Sequence, residues 1–111
     1  DEATARLREA EPLTARYFGA RSTTYAGLQA AKARAFGAEG DYARASDAFL
    51  AAAEAYAASL GPTHRNVLRS RFNQAQALSF APERLSDALA LYASLEELAR
   101  TTMVADDPLL A

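Results

Sequence analysis

Apolar residues recur along the chain with a spacing that is typical of helices. Between residues 42 and 60 they return at steps of three and four, with charged residues between them. This spacing places the apolar side chains on one stripe of a helix. The members of the stripe are Tyr42, Ala45, Phe49, Ala52, Tyr56 and Leu60. Asp41 can cap the start of the helix, and Gly61 and Pro62 can end it, because proline cannot continue a helix. The stretch therefore predicts a helix over residues 41–60.

Four further segments show the same spacing between breaks that are rich in glycine and proline. The helices predicted there cover residues 2–18, 22–37, 63–79 and 84–103. Pro12 lies inside the first and removes a backbone hydrogen bond, so we expect a kink there or a helix that begins near Glu11. Ser22 or Thr23 can cap the second helix, and Thr63 can cap the fourth. Abundant alanine supports the same all-α fold class.

The helical segments form an internal repeat. A shift of 42 or 43 residues superimposes small and large apolar positions of successive helix pairs. The superimposed positions are Ala33 and Ala75, Phe36 and Leu78, Ala45 and Ala88, and Phe49 and Tyr92. The same shift predicts that another repeat begins at residues 106–111. A fixed period of paired helices is typical of an α-solenoid, in which each pair buries its stripe against the next. We therefore predict a single domain over residues 1–111, an α-solenoid of about five helices in antiparallel pairs.

Composition narrows the possible functions. The chain has 111 residues, half of them apolar, which corresponds to one globular domain. Its formal net charge of −2 provides no basic field for a phosphate backbone, so we expect no nucleic-acid partner. The absence of cysteine excludes thiol catalysis and cysteine-ligated metals. No apolar run approaches the ~20 residues that cross a bilayer, so we expect no membrane partner and a cytoplasmic location.

Residue usage also bears on the origin of the chain. Lys32 is the only lysine beside eleven arginines, and alanine is in excess, which suggests a GC-rich bacterial genome. The sequence begins with Asp1 and not with methionine. We therefore expect it to be part of a longer bacterial protein.

The sequence offers little for catalysis. His64 is the only histidine and lies at the start of a predicted helix, where a capping or solvated role is expected. Two pairs of adjacent acidic residues point to different faces of a helix and do not form a paired carboxylate site; they are Glu96-Glu97 and Asp106-Asp107. No phosphate-binding glycine loop, metal-ligand spacing or nucleophile elbow is present. We therefore expect neither an enzyme nor a cofactor or metal.

The repeated positions resemble the tetratricopeptide repeat. That family has a small residue followed by an aromatic residue or leucine in its first helix, and Ala-x-x-x-Phe/Tyr in its second. The matching residues are Ala33, Phe36, Ala45 and Phe49, then Ala75, Leu78, Ala88 and Tyr92. The period exceeds the usual ~34 residues, and the stretch from residue 60 to 78 resembles the longer subclass of kinesin light chains and bacterial regulators. Where the family usually has Trp and Leu, this chain has polar residues: Gln29, Lys32, Arg71 and Gln74.

The resemblance implies a non-catalytic module that binds a peptide or a partner helix in a concave groove lined by the first helices. The residues at the groove-facing positions that are best suited to binding are Arg34, Arg69, Phe72, Asn73, Gln76 and Phe80. The cationic and amide side chains can bond to a peptide backbone or a carboxylate, and the two phenylalanines can anchor apolar groups. Solvated polar residues and a core position for Phe72 are the plainer interpretations.

Two other functions are open. The fifth predicted helix carries a wide apolar band that can mediate dimerisation. The resemblance implies that the dimerising protein would be a multidomain bacterial regulator, such as a kinase or transcription regulator. The band consists of Leu85, Leu89, Leu91, Leu95, Leu98, Met103 and Val104. A nucleic-acid-binding module is less favoured, because only Arg65 and Arg69 of the three arginines near the start of the fourth helix share a face, and the chain is acidic.

Overall fold

A computed structural model describes residues 2–19 and 21–106, and side chains within 5–19 and 21–102. Five α-helices follow one another: α1 (Glu2–Phe18), α2 (Thr23–Ala38), α3 (Tyr42–Leu60), α4 (Arg65–Ser79) and α5 (Leu85–Asp106). A short 3-10 turn, Pro82–Arg84, precedes α5. The described residues contain no strand, so the all-helical prediction is confirmed. Of the predicted repeat start at 106–111, Asp106 is the last residue of α5, and the remainder lies outside the described residues.

The helix ends follow local capping chemistry, with one correction. The Ser22 hydroxyl caps α2 by accepting from the Tyr25 amide, and the Asp41 carboxylate caps α3 by accepting from the Arg44 amide, as predicted. The predicted Thr63 cap of α4 is wrong. His64 caps that helix instead, because α4 begins at Arg65 and the imidazole Nδ1 accepts from the second amide of the helix at 3.1 Å.

Pro12 does not interrupt α1. The helix is continuous from Glu2 to Phe18, so the alternative of a helix beginning near Glu11 is wrong. Proline lacks the N–H that would bond to the carbonyl four residues earlier, and its ring disfavours a straight helix. The loss of one hydrogen bond in a helix of 17 residues is tolerated here without ending the helix.

Each helix packs mainly against its neighbours in sequence. The close pairs among the described residues are α1 with α2, α2 with α3, α3 with α4, and α4 with α5. The resulting array measures 48 × 36 × 15 Å. Its central core cluster is small and alanine-rich, and it comes from the three middle helices: Ala33, Phe36, Ala45, Ala48, Phe49 and Ala77. Alanine at these positions allows neighbouring helix backbones to approach closely around the two phenylalanine rings.

Burial follows the sequence repeat. Four pairs of positions related by the shift of 42 or 43 residues are buried in both copies. They are Ala33 and Ala75, Phe36 and Leu78, Ala45 and Ala88, and Ala52 and Leu95. These positions on α2 and α4, and on α3 and α5, therefore face the interior in the same way, whereas Tyr92, the counterpart of the buried Phe49, is half-buried. By contrast, none of the side chains described for α1 is buried.

Candidate functional site

A surface groove with a volume of about 340 Å³ lies between α2 and α4 and is closed at its base by α3. Arg34 of α2 and Asn73 and Gln76 of α4 line it, and Phe80 stands at the end of α4. The floor consists of core side chains, among them Ala45 and Phe49 of α3. Four of the six residues proposed from the sequence therefore line one depression.

The polar side chains of the groove are available for a ligand. Arg34 and Gln76 are exposed, and Asn73 is half-buried. Within the described residues, none of these three side chains has a hydrogen bond or an ion pair. A guanidinium and two amides together offer donors for carbonyl or carboxylate oxygens, and the amides also offer acceptors. The arrangement can therefore bind an extended polar backbone.

The other end of the groove is aromatic. The rings of Tyr42 and Phe80 lie 5.1 Å apart at an interplanar angle of 35°. Phe80 is 56% exposed although it is a large apolar residue. Tyr42 is the first residue of α3. A short turn, in which the Gly40 amide donates to the Gly37 carbonyl, connects the end of α2 to it. Tilted aromatic pairs with one exposed face can bind apolar side chains of a partner.

The remaining two residues proposed from the sequence lie elsewhere. Arg69 is exposed on α4 and does not line this groove. Phe72 is half-buried, and its ring lies 6.2 Å from that of Tyr92 on α5. The structure thus separates Arg69 and Phe72 from the other four. The sequence pattern places Tyr42 only in the apolar stripe of α3, the second helix of its pair. The short turn through Gly40 and Asp41 is the signal that brings Tyr42 close to the end of α2.

A polar cluster joins α1 to α2. Glu11 accepts hydrogen bonds from Gln29 Nε2 at 2.7 Å, from Lys32 Nζ at 2.7 Å and from the Tyr25 hydroxyl at 3.2 Å. Gln29 is only 2% exposed, so its amide depends on this carboxylate. The polar residues that depart from the family pattern on α2 thus face a carboxylate of α1. Their partner was not foreseen, because it lies 18 and 21 residues away on another helix.

The polar cluster shifts the pKa values of two of its side chains, Glu11 and Tyr25. Burial by itself raises the pKa of Glu11, but hydrogen bonds from Lys32, Gln29 and Tyr25 and the charge of Lys32 outweigh it, so the pKa is lowered from 4.5. Burial, followed by the negative charge and the hydrogen bond of Glu11, raises the pKa of Tyr25 above 10.0. Both shifts favour a charged Glu11 beside a neutral Tyr25. These three hydrogen bonds link α1 to α2.

Phe36 of α2 is the second link to α1. Its ring lies under two guanidinium groups, Arg8 of α1 at 5.4 Å and Arg44 of α3 at 5.9 Å from the ring centroid. Arg44 also lies 3.5 Å from the Asp41 carboxylate. Cations over an aromatic face are attracted by the ring quadrupole. Three consecutive helices therefore meet at this ring.

The other candidate residues serve local structure. His64 is a helix cap, and Glu97 pairs with Arg100 at 3.0 Å on the surface of α5. In the part of the chain that the structure describes, no three His, Asp or Glu side chains are grouped to hold a metal ion. No helix among the same residues combines the length and apolarity that membrane crossing requires.

Comparison with known proteins gives no match. No family model, no characterised protein sequence and no solved structure resembles the chain at a significant level.

Proposed function

We propose that the chain is a tetratricopeptide-like α-solenoid module that binds a peptide or a partner helix in the groove between α2 and α4. The observation that supports this most directly is the convergence of Arg34, Asn73, Gln76 and Phe80 on one depression. These residues come from helices that occupy equivalent places in the sequence repeat. The matching burial of the two copies supports the solenoid arrangement.

The chemistry of the groove favours a short extended segment with an acidic and an apolar residue. Arg34 provides a positive charge, and the amides of Asn73 and Gln76 can pair with both N–H and C=O groups of a peptide. The exposed ring of Phe80 provides apolar contact area. The proposal also includes what the sequence leads us to expect: a scaffold role in the bacterial cytoplasm, through protein binding and without catalysis.

The test begins with a displayed library of random peptides selected against the chain. The affinity of a selected peptide is then measured by fluorescence anisotropy with Arg34→Ala and with the double variant Asn73→Ala/Gln76→Ala. Loss of a hydrogen bond to a charged group costs about 1.5–3 kcal/mol, so Arg34→Ala should weaken binding by about 10- to 100-fold. Arg65→Ala is the matched control, since Arg65 is exposed on α4 and does not line the groove.

The outcome discriminates between groove and surface binding. Retained affinity in both groove variants, or an equal loss in Arg65→Ala, would show that the peptide binds elsewhere. Arg69→Ala adds a further distinction. A loss in that variant would extend the site along α4 beyond the groove, as the sequence resemblance implies.

Self-association is a second candidate, supported by exposed leucines on α5. Leu89 is 61% exposed, and Leu85 lies one turn before it and is also exposed. Leu95 of the predicted band is instead buried against the fold, and the side chains of Met103 and Val104 lie outside the description. Sedimentation velocity over a range of concentrations tests this function. A concentration-dependent dimer that is abolished by Leu89→Glu supports it, and a strict monomer contradicts it.

A further inference from the structure

A second cavity, with a volume of about 210 Å³, lies between α3 and α4 and shares no lining residue with the groove. Its wall is mainly apolar and includes Leu50 and Ala53 of α3 and Val67 of α4. Arg71 of α4 and Glu54 of α3 also line it. The cavity thus combines an apolar wall with a guanidinium.

The internal repeat indicates what this place holds in the first copy. The shift of 42 residues superimposes Glu11 on Ala53, Gln29 on Arg71 and Lys32 on Gln74. In the first copy, the Glu11 carboxylate accepts hydrogen bonds from both Gln29 and Lys32. In the second copy an alanine takes the place of the glutamate. The cavity beside Ala53 therefore occurs where the equivalent helix pair has a carboxylate.

The groups that would surround a carboxylate in the second copy lack partners. Arg71 is half-buried, and no ion pair or hydrogen bond of its side chain occurs within residues 2–19 and 21–106. Gln74, at the position equivalent to Lys32, follows one turn later on α4, and its Oε1 is shielded from solvent without a hydrogen bond, but Gln74 does not line the cavity. Arg71 does line it, so the half-buried guanidinium is the group with which a ligand in the cavity can pair.

We propose that the cavity between α3 and α4 binds a short aliphatic carboxylate, whose carboxylate pairs with Arg71 and whose alkyl chain contacts Leu50, Ala53 and Val67. The chain thereby receives from a ligand the carboxylate that Glu11 supplies in the first copy. Arg71 gives the charge selectivity and the apolar wall gives the preference for an alkyl chain. Glu54 is exposed at the cavity, and its negative charge opposes an anionic ligand there.

The test is a titration of the whole ¹⁵N-labelled chain with butyrate, in which NMR records the amide shifts. For a ligand of this size we expect saturable shifts at the amides of Ala53 and Val67 with a Kd of about 1 mM. Arg71→Gln, which installs the residue found at the equivalent position of the first copy, should weaken binding about tenfold or more. Glu54→Gln should bind at least as tightly as the unaltered chain. Butan-1-ol is the uncharged probe, and it should bind at least about tenfold more weakly than butyrate.

A variant that fills the cavity provides an independent readout. Ala53→Glu should abolish butyrate binding, and Ala53→Gln is its matched uncharged control. The melting temperature of Ala53→Glu relative to Ala53→Gln should fall when Arg71→Gln is added, since the new carboxylate then loses its cation. Absence of saturable shifts, equal binding of butan-1-ol, or unchanged affinity in Arg71→Gln would overturn the proposal. The proposal would also be overturned if the difference in melting temperature between Ala53→Glu and Ala53→Gln were the same with Arg71 and with Arg71→Gln. Arg34→Ala, a groove variant, should leave butyrate binding unchanged.

Discussion

Replacement of Glu11 by alanine tests whether α1 is held by its polar cluster. The carboxylate accepts three hydrogen bonds, from Tyr25, Gln29 and Lys32. In Glu11→Ala, the nearly inaccessible amide of Gln29 and the ammonium group of Lys32 both lose this acceptor. The variant adds no bulk and slightly favours the helix, so any loss of stability reports the cluster.

The size of the loss follows from burial. A hydrogen bond to a charged group contributes about 1.5–3 kcal/mol, whereas an exposed ion pair contributes less than about 1 kcal/mol. The side chains of Lys32 and Glu11 are 16% and 27% exposed, so water can replace part of the lost interaction. We therefore expect Glu11→Ala to cost about 2 kcal/mol, or roughly 30-fold in the equilibrium that opens the α1–α2 contact.

The loss should be local. None of the described side chains of α1 is buried, and the central core cluster comes from α2, α3 and α4. Helices with few buried contacts open separately from the core. Amide hydrogen exchange should therefore accelerate about 30-fold in α1 and much less in α3. A thermal melt alone would understate the effect.

Two variants control for other causes. Glu9→Ala is matched in helix and residue type, and Glu9 is exposed outside the cluster. Glu11→Gln keeps the size and an acceptor oxygen but removes the charge, so it should lie between the unaltered chain and Glu11→Ala. If Glu11→Ala and Glu9→Ala accelerate exchange of α1 equally, the cluster does not hold this helix.

The same cluster predicts a pH dependence. Because the pKa of Glu11 is lowered in the folded chain, its stabilisation is fully present above the unfolded pKa and is lost as pH falls through the folded pKa. The difference in α1 stability between the unaltered chain and Glu11→Gln should be constant above about pH 5 and shrink progressively below 4.5. A difference that grows on acidification would contradict the assigned sign.

The remaining predictions concern packing and helix ends. Phe36→Ala should lower the free energy of unfolding by about 3–5 kcal/mol in urea melts. Phe80→Ala, at an exposed ring, should lower it by less than about 1.5 kcal/mol. Equal losses in the two variants would refute the assignment of Phe36 to the core. Asp41→Ala should cost about 1 kcal/mol by loss of the α3 cap, and Asp41→Asn should restore most of it in the same melts. His64→Ala should cost about 0.5–1 kcal/mol while His64→Asn remains near the unaltered value, and loss in both would show that the imidazole does more than cap α4.

Local signals account for what the sequence predicted well. Gly and Pro breaks, together with Ser22 and Asp41 as caps, place most helix ends within one or two residues of those observed. The repeat spacing predicted which small residues are buried, such as Ala33 and Ala75. These features depend on residues close in sequence or on a fixed period, so a single sequence contains them.

Contacts between helices were harder to predict. The sequence marks Glu11 only as a possible helix start, because its partners lie on another helix and nothing in the periodicity pairs them. It favours Thr63 as the cap of α4 because hydroxyls rank above imidazole as caps, and a shift of one residue decides which side chain reaches the amide. Arg69 and Gln76 are both polar, and a spacing of seven residues places them on nearly the same face of α4. They differ in their position along the helix, by about two turns, and only Gln76 lies at the turn that lines the groove.

The arrangement of α2 decides whether α1 influences the groove. One side of α2 contacts α1 through Gln29 and Lys32, and another side lines the groove through Arg34. Coupling between them would require α2 to have two alternative positions. Because Ala33 and Phe36 are fixed in the core cluster with α3, opening of α1 leaves α2 in place. Glu11→Ala should therefore bind a groove peptide with unchanged affinity, and a weakening of more than about threefold would show that α2 moves with α1.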